Sequence, residues 1–359
     1  MKVMGTGLTS TGLTVAPRLR LSHLLPLALI LPLILGQRTA TVAAPGGDDF
    51  VEITPQLQRS VDKGLTYLAN QQQADGSFGA DRYGRHVGIT ALACLAFMAH
   101  GDLPGRGAYG AVVDGGLDFV LDSAQETGLI AADTSHGPMY GHGFATLFLG
   151  EIYGQTQDPR VREALIKAVR LIVSTQNHEG GWRYHPVPYD ADISVTICQV
   201  MALRSARNAG IKVPRETIDR AVAYVRQCQN PDGGFRYMLN SGGSAFARSA
   251  AGVASLYYAG IYEDEALDRG LSYMMQSLAA GGGGRTPHYF YGHYYAVQAM
   301  FLAGGDYWKS WFPAIRSELL AKQNNASGEW DGQADSAYGS AMALIILQMP
   351  NRYLPIFQK

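Results

Sequence analysis

The chain has 359 residues, 47% of them hydrophobic and 16% charged, with a formal net charge of −1. That length buries a sizeable core, in one large domain or two ordinary ones. The near-neutral charge gives nucleic acid no electrostatic footing as a partner.

In chain order, residues 1–43 read as an export signal. Lys2, Arg18 and Arg20 precede the apolar run LLPLALILPLILG, Leu24 to Gly36, and the small residues of TATVAAPGG follow. A membrane span needs about 20 apolar residues, so this run is too short for one. Cleavage near Ala43 leaves residues 44–55 as a leader and places the mature chain in the periplasm, the envelope or the medium. An uncleaved signal is the alternative, and the only route to a membrane. The three cysteines, Cys94, Cys198 and Cys228, are too few and too apolar in setting for a disulfide framework, and read as buried free thiols.

From residue 56 onward the chain repeats itself. Gln recurs at Gln73, Gln125, Gln176, Gln229, Gln276 and Gln323, with Gly following at Gly76, Gly128, Gly180, Gly233, Gly281 and Gly328. An aromatic comes next in four units, as Phe78, Trp182, Phe235 and Trp330, while the second unit has Ile130 and the fifth runs into GGGGRTPHYF. Each Gln ends an amphipathic segment such as TIDRAVAYVRQCQ, where Ile218, Ala221, Val222 and Val225 share one helical face. Each turn leads into a segment apolar all round, such as ITALACLAFMA or SVTICQVMAL, which must be buried on every face.

The predicted units cover about 56–103, 108–154, 161–210, 215–261, 264–305 and 312–350, followed by a tail at 351–359. Each is an outer half-exposed helix and an inner enclosed one. Gly is expected to end the outer helix in a left-handed conformation. Gln is expected to satisfy unpaired backbone groups, and the aromatic to anchor neighbouring units. The motif is structural. Inner helices with no polar stripe argue against an open array, so the fold class is all-α, an α/α toroid of six hairpins.

The Gln-Gly-aromatic turn on six α-hairpins resembles the α/α-toroid superfamily of terpenoid cyclases and protein prenyltransferases. More narrowly, it is similar to exported prenyltransferase and squalene-oxidase repeat proteins of bacteria. The resemblance spans about residues 56–350. Triterpene cyclases protonate their substrate with an Asp in a D-x-D-D motif. Here YDADIS supplies Asp190 and Asp192, with Ile193 in the last place. The stretches matching the prenyltransferase zinc ligands carry Tyr291, His293 and Tyr338 instead of Asp, Cys and His. The resemblance therefore implies cyclase-like chemistry without the complete motif, and no zinc triad.

Inner helices start at one end of a barrel, so their first residues ring a cavity mouth. Those positions read His86, His142, Asp192, Phe246, His293 and Asp335. The YGH stretches, Tyr140 to His142 and Tyr291 to His293, fall in units that face each other across a six-fold ring. Asp190, Asp192, His142 and His293 are the acid-base candidates. His86, Tyr140, Tyr291, Arg248, Asp335 and Tyr338 are the candidate ligand contacts, with Arg248 facing an anion or pairing with Asp192 or Asp335. The competing structural reading makes both Asp residues helix caps and each His a turn contact. No cofactor is predicted, and a metal at the mouth is the lesser alternative. The expected partner is a small apolar, isoprenoid-type molecule. A scaffold presenting loops to a protein, or a glycan-cleaving toroid, are the other readings.

Overall fold

The computed structural model describes residues 53–132, 137–279 and 287–358. The export signal and most of the leader lie outside the described residues, as do the glycines of GGGGRTPHYF. No helix among the described residues is long and apolar enough to cross a membrane.

Among the described residues there are twelve α-helices, alternately outer and inner, and no strand. The outer ones are α1 (Pro55–Ala69), α3 (Gly110–Asp122), α5 (Pro159–Ser174), α7 (Arg215–Gln227), α9 (Glu265–Ala279) and α11 (Gly305–Lys322). The inner ones are α2 (Val87–His100), α4 (Met139–Ile152), α6 (Ile193–Asn208), α8 (Phe246–Tyr258), α10 (Tyr289–Ala303) and α12 (Ser336–Gln348). Local chemistry sets their starts. Thr54 and Asp158 accept the amides of Leu57 and Arg160, with Pro in the first turn where its missing N–H costs nothing. Outer α5 buries Val161, Ala164, Leu165, Ala168, Val169 and Ile172 along one stripe, whereas inner α2 is buried continuously from Val87 to Ala99.

Each inner helix packs on the next, and α12 packs on α2, so the six close into a ring. The expected toroid of six hairpins is what the chain forms. Below one end the middle of the ring is filled. Phe144 of α4 meets Tyr294 of α10 with ring centroids 6.0 Å apart, and the Tyr295 hydroxyl lies 3.2 Å from Cys198 Sγ. All three cysteines are buried and free.

The repeated Gln locks neighbouring hairpins together. The side-chain amide of Gln176 donates to the Gly180 carbonyl at 2.8 Å and to the Thr217 carbonyl of α7 at 2.9 Å. Gln229 does the same to Gly233 and Ala266 of α9, and Gln323 to Gly328 and Ser60 of α1. The last of these joins the sixth hairpin to the first. In the first hairpin the residue is Gln72, which donates to Gly76 and Val112, and not the expected Gln73. Gln125 is exposed, and Ala124 holds the position four before Gly128, so the second hairpin lacks the lock. The turn glycine also departs from expectation. Gly180 has φ 103° but lies beyond the helix end, where a Cβ would sit 2.3 Å from the Arg220 carbonyl. It permits close approach of the next outer helix and does not end its own.

At the far end of the ring the chain folds back under the inner helices, burying Leu354, Ile356 and Phe357. Glu151 pins it: its carboxylate accepts the Ile356 amide at 2.9 Å and the Ser205 hydroxyl at 2.7 Å. Burial pushes the Glu151 carboxyl up to about 7, against those two hydrogen bonds. The native state therefore binds this proton more tightly than the unfolded chain. Its stabilisation is complete below the ordinary value of 4.5 and is lost as pH rises through about 7. Glu151→Gln is expected to remove a fall on the order of 2 kcal/mol between pH 5 and 8. Urea midpoints at the two pH values check this, and an identical fall in variant and parent would contradict it.

Candidate functional site

The starts of the inner helices enclose a cavity of about 850 Å³. Its wall is mainly aromatic and apolar, with Tyr83, Tyr140, Phe144, Tyr184, Tyr237, Phe246, Tyr291 and Tyr338 joined by Ile89 and Leu92. Tyr140 packs near Tyr184 and Tyr291, with ring centroids 5.9 and 6.5 Å away. Burial raises the Tyr140, Tyr291 and Tyr338 phenols above their ordinary value, so they stand as neutral rings. Polar contacts come from His86, Ser194, Arg248, His288 and Gln333. No carboxylate side chain is among the described residues that line the cavity.

The nearest buried acid sits one layer behind this wall. Asp192 caps α6, with Oδ1 accepting the amides of Ser194 and Val195 at 2.8 and 2.9 Å. Oδ2 accepts the Tyr237 hydroxyl at 3.1 Å, and Tyr237 is hydrogen-bonded in turn to the Tyr184 hydroxyl. The Asp192 residue has no exposed surface. Burial pushes its carboxyl up to about 6, although three hydrogen bonds and the nearby Arg183 favour its charge. Arg183 Nε lies 3.7 Å from Oδ2, and the same guanidinium pairs with half-exposed Asp190. Ile193, in the place of a further acid, is fully buried and donates its amide to the Tyr237 carbonyl at 3.0 Å. Asp192 thus stands behind the cavity wall, in contact with its lining residues Tyr237 and Ser194.

Of the predicted contacts, His86, Tyr140, Tyr291, Arg248 and Tyr338 line the cavity. Arg248 donates to the Gly243 carbonyl at 2.9 Å. Asp335 caps α12 by accepting the Tyr338 amide and also takes the Ala80 amide, so it lies under the wall as a structural acceptor. Asp190 and Asp192 also do not line the cavity. The two YGH histidines are placed otherwise than expected: Pro138 and His288 occupy the cap positions, and His142 and His293 lie further along their helices with no exposed surface.

Their burial has a repeat-wise reason. The backbone amides of Phe78, Trp182, Phe235 and Trp330 donate to Thr90, Thr196, Ser249 and Ser340 at 2.9 to 3.1 Å. In the second hairpin the Ile130 amide donates to His142 Nδ1 at 3.1 Å. His142 is therefore the hairpin's acceptor and faces away from the cavity. His293 sits five residues after its cap, as Ser340 does, and its ring packs on Phe246, Tyr289 and Trp311. Burial lowers His142 to about 4 from 6.5, with a small opposing contribution from the Ala168 carbonyl. The unfolded chain takes up this proton first, so its share of stability is lost as pH falls from 6.5 towards 4. His142→Ala is expected to cost about 2 kcal/mol at pH 7 by stranding a buried amide. His142→Thr, matching the first and third hairpins, should recover half of that and flatten the acid-side loss. Urea titrations at pH 7 and 4.5 check both points, and equal stability of the two variants would contradict them.

Sequence reading missed Arg183, Tyr184, Tyr237 and His288. A signal for three of them was present: the third and fourth hairpins share GGWRY and GGFRY, which place Tyr184 and Tyr237 two residues after the turn aromatic.

Residues 148–315 match the family model of the squalene-hopene cyclase C-terminal domain. The described fold is similar to a type II terpene cyclase from Scytonema, with TM-score 0.59 and 15% identity, covering 84% of this chain and all of that one. The chain thus carries a squalene-hopene cyclase-type segment and folds as an α/α toroid like that of the terpene cyclases. A drimenyl diphosphate synthase of Streptomyces showdoensis is 28% identical to the toroid over 173 residues. The match covers 47% of this chain and 31% of that protein, so the chain spans about a third of the length of the curated relative it matches. A cellobiose 2-epimerase from Spirochaeta thermophila shares the fold at TM-score 0.64 and 12% identity, covering 84% of this chain and 98% of its own. The architecture is thus common to proteins with apolar and with sugar ligands, and the site must choose between them.

Proposed function

We propose that this is an exported toroid that binds an apolar, isoprenoid-type molecule in the cavity at the inner helix starts. The observation that carries the reading is the tyrosine-rich wall, about 850 Å³ in extent, closed by buried aromatics below. Such a volume lies at the upper end of small-molecule sites, and neutral aromatic rings favour a long unsaturated chain over a hydrated sugar. The similarity to drimenyl diphosphate synthases supports an isoprenoid class of ligand.

The Asp192–Tyr237–Tyr184 chain serves this function by hydrogen bonding. Both Asp192 oxygens are engaged, its carboxyl is a weak acid, and burial raises the Tyr237 phenol. Direct protonation of an alkene by Asp192 is blocked by Tyr237. A glycan-cleaving reading is disfavoured because cleavage draws on two carboxylates facing the cleft.

Native mass spectrometry of the protein mixed with squalene or geranylgeraniol tests the reading. A one-to-one complex is expected, and Ala334→Trp, which puts an indole into the mouth, should abolish it. Equal binding by that variant, or none by the parent, would overturn the site. Incubation in deuterium oxide should return the ligand unlabelled. A deuterated cyclic product, lost in Asp192→Asn, would replace binding with proton-initiated cyclisation.

A further inference from the structure

Each phenol of the cavity wall carries one hydrogen, so the bond that uses it decides what the oxygen offers to a ligand. Around the third and fourth hairpins those hydrogens run into the wall, away from the cavity.

The direction is set at Asp192. Its Oδ1 takes the Ser194 and Val195 amides, which leaves Oδ2 to the Tyr237 hydroxyl at 3.1 Å. Arg183 Nε, 3.7 Å from Oδ2, favours the charged form. With its carboxyl at about 6, Asp192 is ionised at pH 7.5. A carboxylate can only accept, so Tyr237 donates to it and has no hydrogen left. The Tyr184 and Tyr237 hydroxyls are themselves hydrogen-bonded. Two oxygens in such contact need a hydrogen between them, and only Tyr184 can supply it. Both phenols line the cavity, and towards a ligand Tyr184 therefore offers lone pairs alone. Tyr291 of α10 uses its hydrogen in the same way, on the Ser194 carbonyl at 2.8 Å. Two phenols of this wall, from different hairpins, are thus acceptors.

An acceptor wall selects a donor. An ionised carboxylate has no hydrogen to give and would set lone pairs against lone pairs. An ammonium could donate, but no carboxylate side chain is among the described residues that line the cavity, and Arg248 puts like charge there. A neutral hydroxyl meets both conditions. Tyr140 adds a phenol that can donate back to the same hydroxyl oxygen, its ring centroid 5.9 and 6.5 Å from those of Tyr184 and Tyr291. A chain running from ligand to Tyr184, Tyr237 and Asp192 keeps one direction and ends on a charge, which strengthens each bond in it.

Resting on the isoprenoid reading above, we propose that the ligand is an isoprenoid alcohol, whose hydroxyl donates to the Tyr184 oxygen. Tyr237 and Asp192 are positioning residues that fix the direction of this chain, and the hydrocarbon lies against the remaining aromatic wall.

Isothermal titration calorimetry at pH 7.5 with geranylgeraniol, its methyl ether and geranylgeranoic acid tests this. The alcohol is expected to bind about tenfold more tightly than the ether, which cannot donate and leaves a buried acceptor unmet, and more tightly than the acid. Tyr184→Phe should bring alcohol and ether within about twofold of each other. Asp192→Asn reads the direction itself. Its oxygen must stay on the Ser194 and Val195 amides, so its amide nitrogen faces Tyr237 and donates. Tyr237 then donates to Tyr184, and Tyr184 into the cavity. The margin of alcohol over ether should vanish in this variant, and the ether should bind several-fold more tightly than it does to the parent, a gain that loss of a helix cap would not produce. Ether or acid binding as tightly as the alcohol, or a margin unchanged in either variant, overturns the hydroxyl and leaves the isoprenoid site standing. Binding of none of the three removes both.

Discussion

Trp182→Ala is expected to destabilise the protein by about 3–5 kcal/mol. Trp182 is 1% exposed, and it combines three roles at one point. Its ring fills the space between hairpins, its Nε1–H donates to the Ile172 carbonyl at 2.7 Å, and its backbone amide donates to Thr196. Its carbonyl also accepts the Asp192 amide at 3.0 Å, tying the turn to the start of α6. Trp182→Phe separates the terms, since Phe78 and Phe235 stand at the same place in two other hairpins. That change keeps an aromatic ring and removes one of the two hydrogen bonds to the Ile172 carbonyl, which keeps the Thr175 hydroxyl at 3.3 Å, for a cost of about 1 kcal/mol. Urea unfolding followed by circular dichroism measures both. Equal losses for Phe and Ala would show that the hydrogen bond, and not the ring, carries the anchor.

Asp192→Ala comes next, at about 3 kcal/mol. It removes the cap of α6 and leaves the Tyr237 hydroxyl without its acceptor. Asp192→Asn keeps an oxygen for the Ser194 and Val195 amides and should cost about 1 kcal/mol. Stability should follow the cap, whereas ligand affinity should follow the Tyr237 hydrogen bond, so Tyr237→Phe is expected to weaken binding with little loss of stability. Calorimetric affinities beside urea midpoints check the split. If Asp192→Ala is as stable as the parent, the buried carboxylate is not the organising residue of this wall.

The fold was legible in the sequence because its causes are local and repeated. The apolar inner runs and the spacing of Gln, Gly and aromatic name twelve helices without any long-range information. The lock between hairpins was legible only in outline. Gln72 and Gln73 are adjacent and chemically identical, and only the path of the turn decides that Gln72 reaches Val112. The site was less legible still. A YGH triplet puts Tyr140 and His142 two residues apart on a helix, so their side chains diverge by about 200°, and one faces the cavity while the other faces the turn. His142 was legible as a turn residue from its alignment with Thr90 and Thr196, four residues after their caps. Asp192 reads from the sequence as an acid at the cavity mouth because Tyr237, which covers it, lies 45 residues away in sequence.

The most direct test of the central claim is photo-crosslinking with a diazirine-bearing geranylgeraniol, followed by peptide mapping. Attachment is expected within α4 and α10, at Tyr140, Phe144 or Tyr291, with loss of labelling in Ala334→Trp. Labelling confined to the outer helices, or unchanged in that variant, would contradict a ligand held among the inner helix starts.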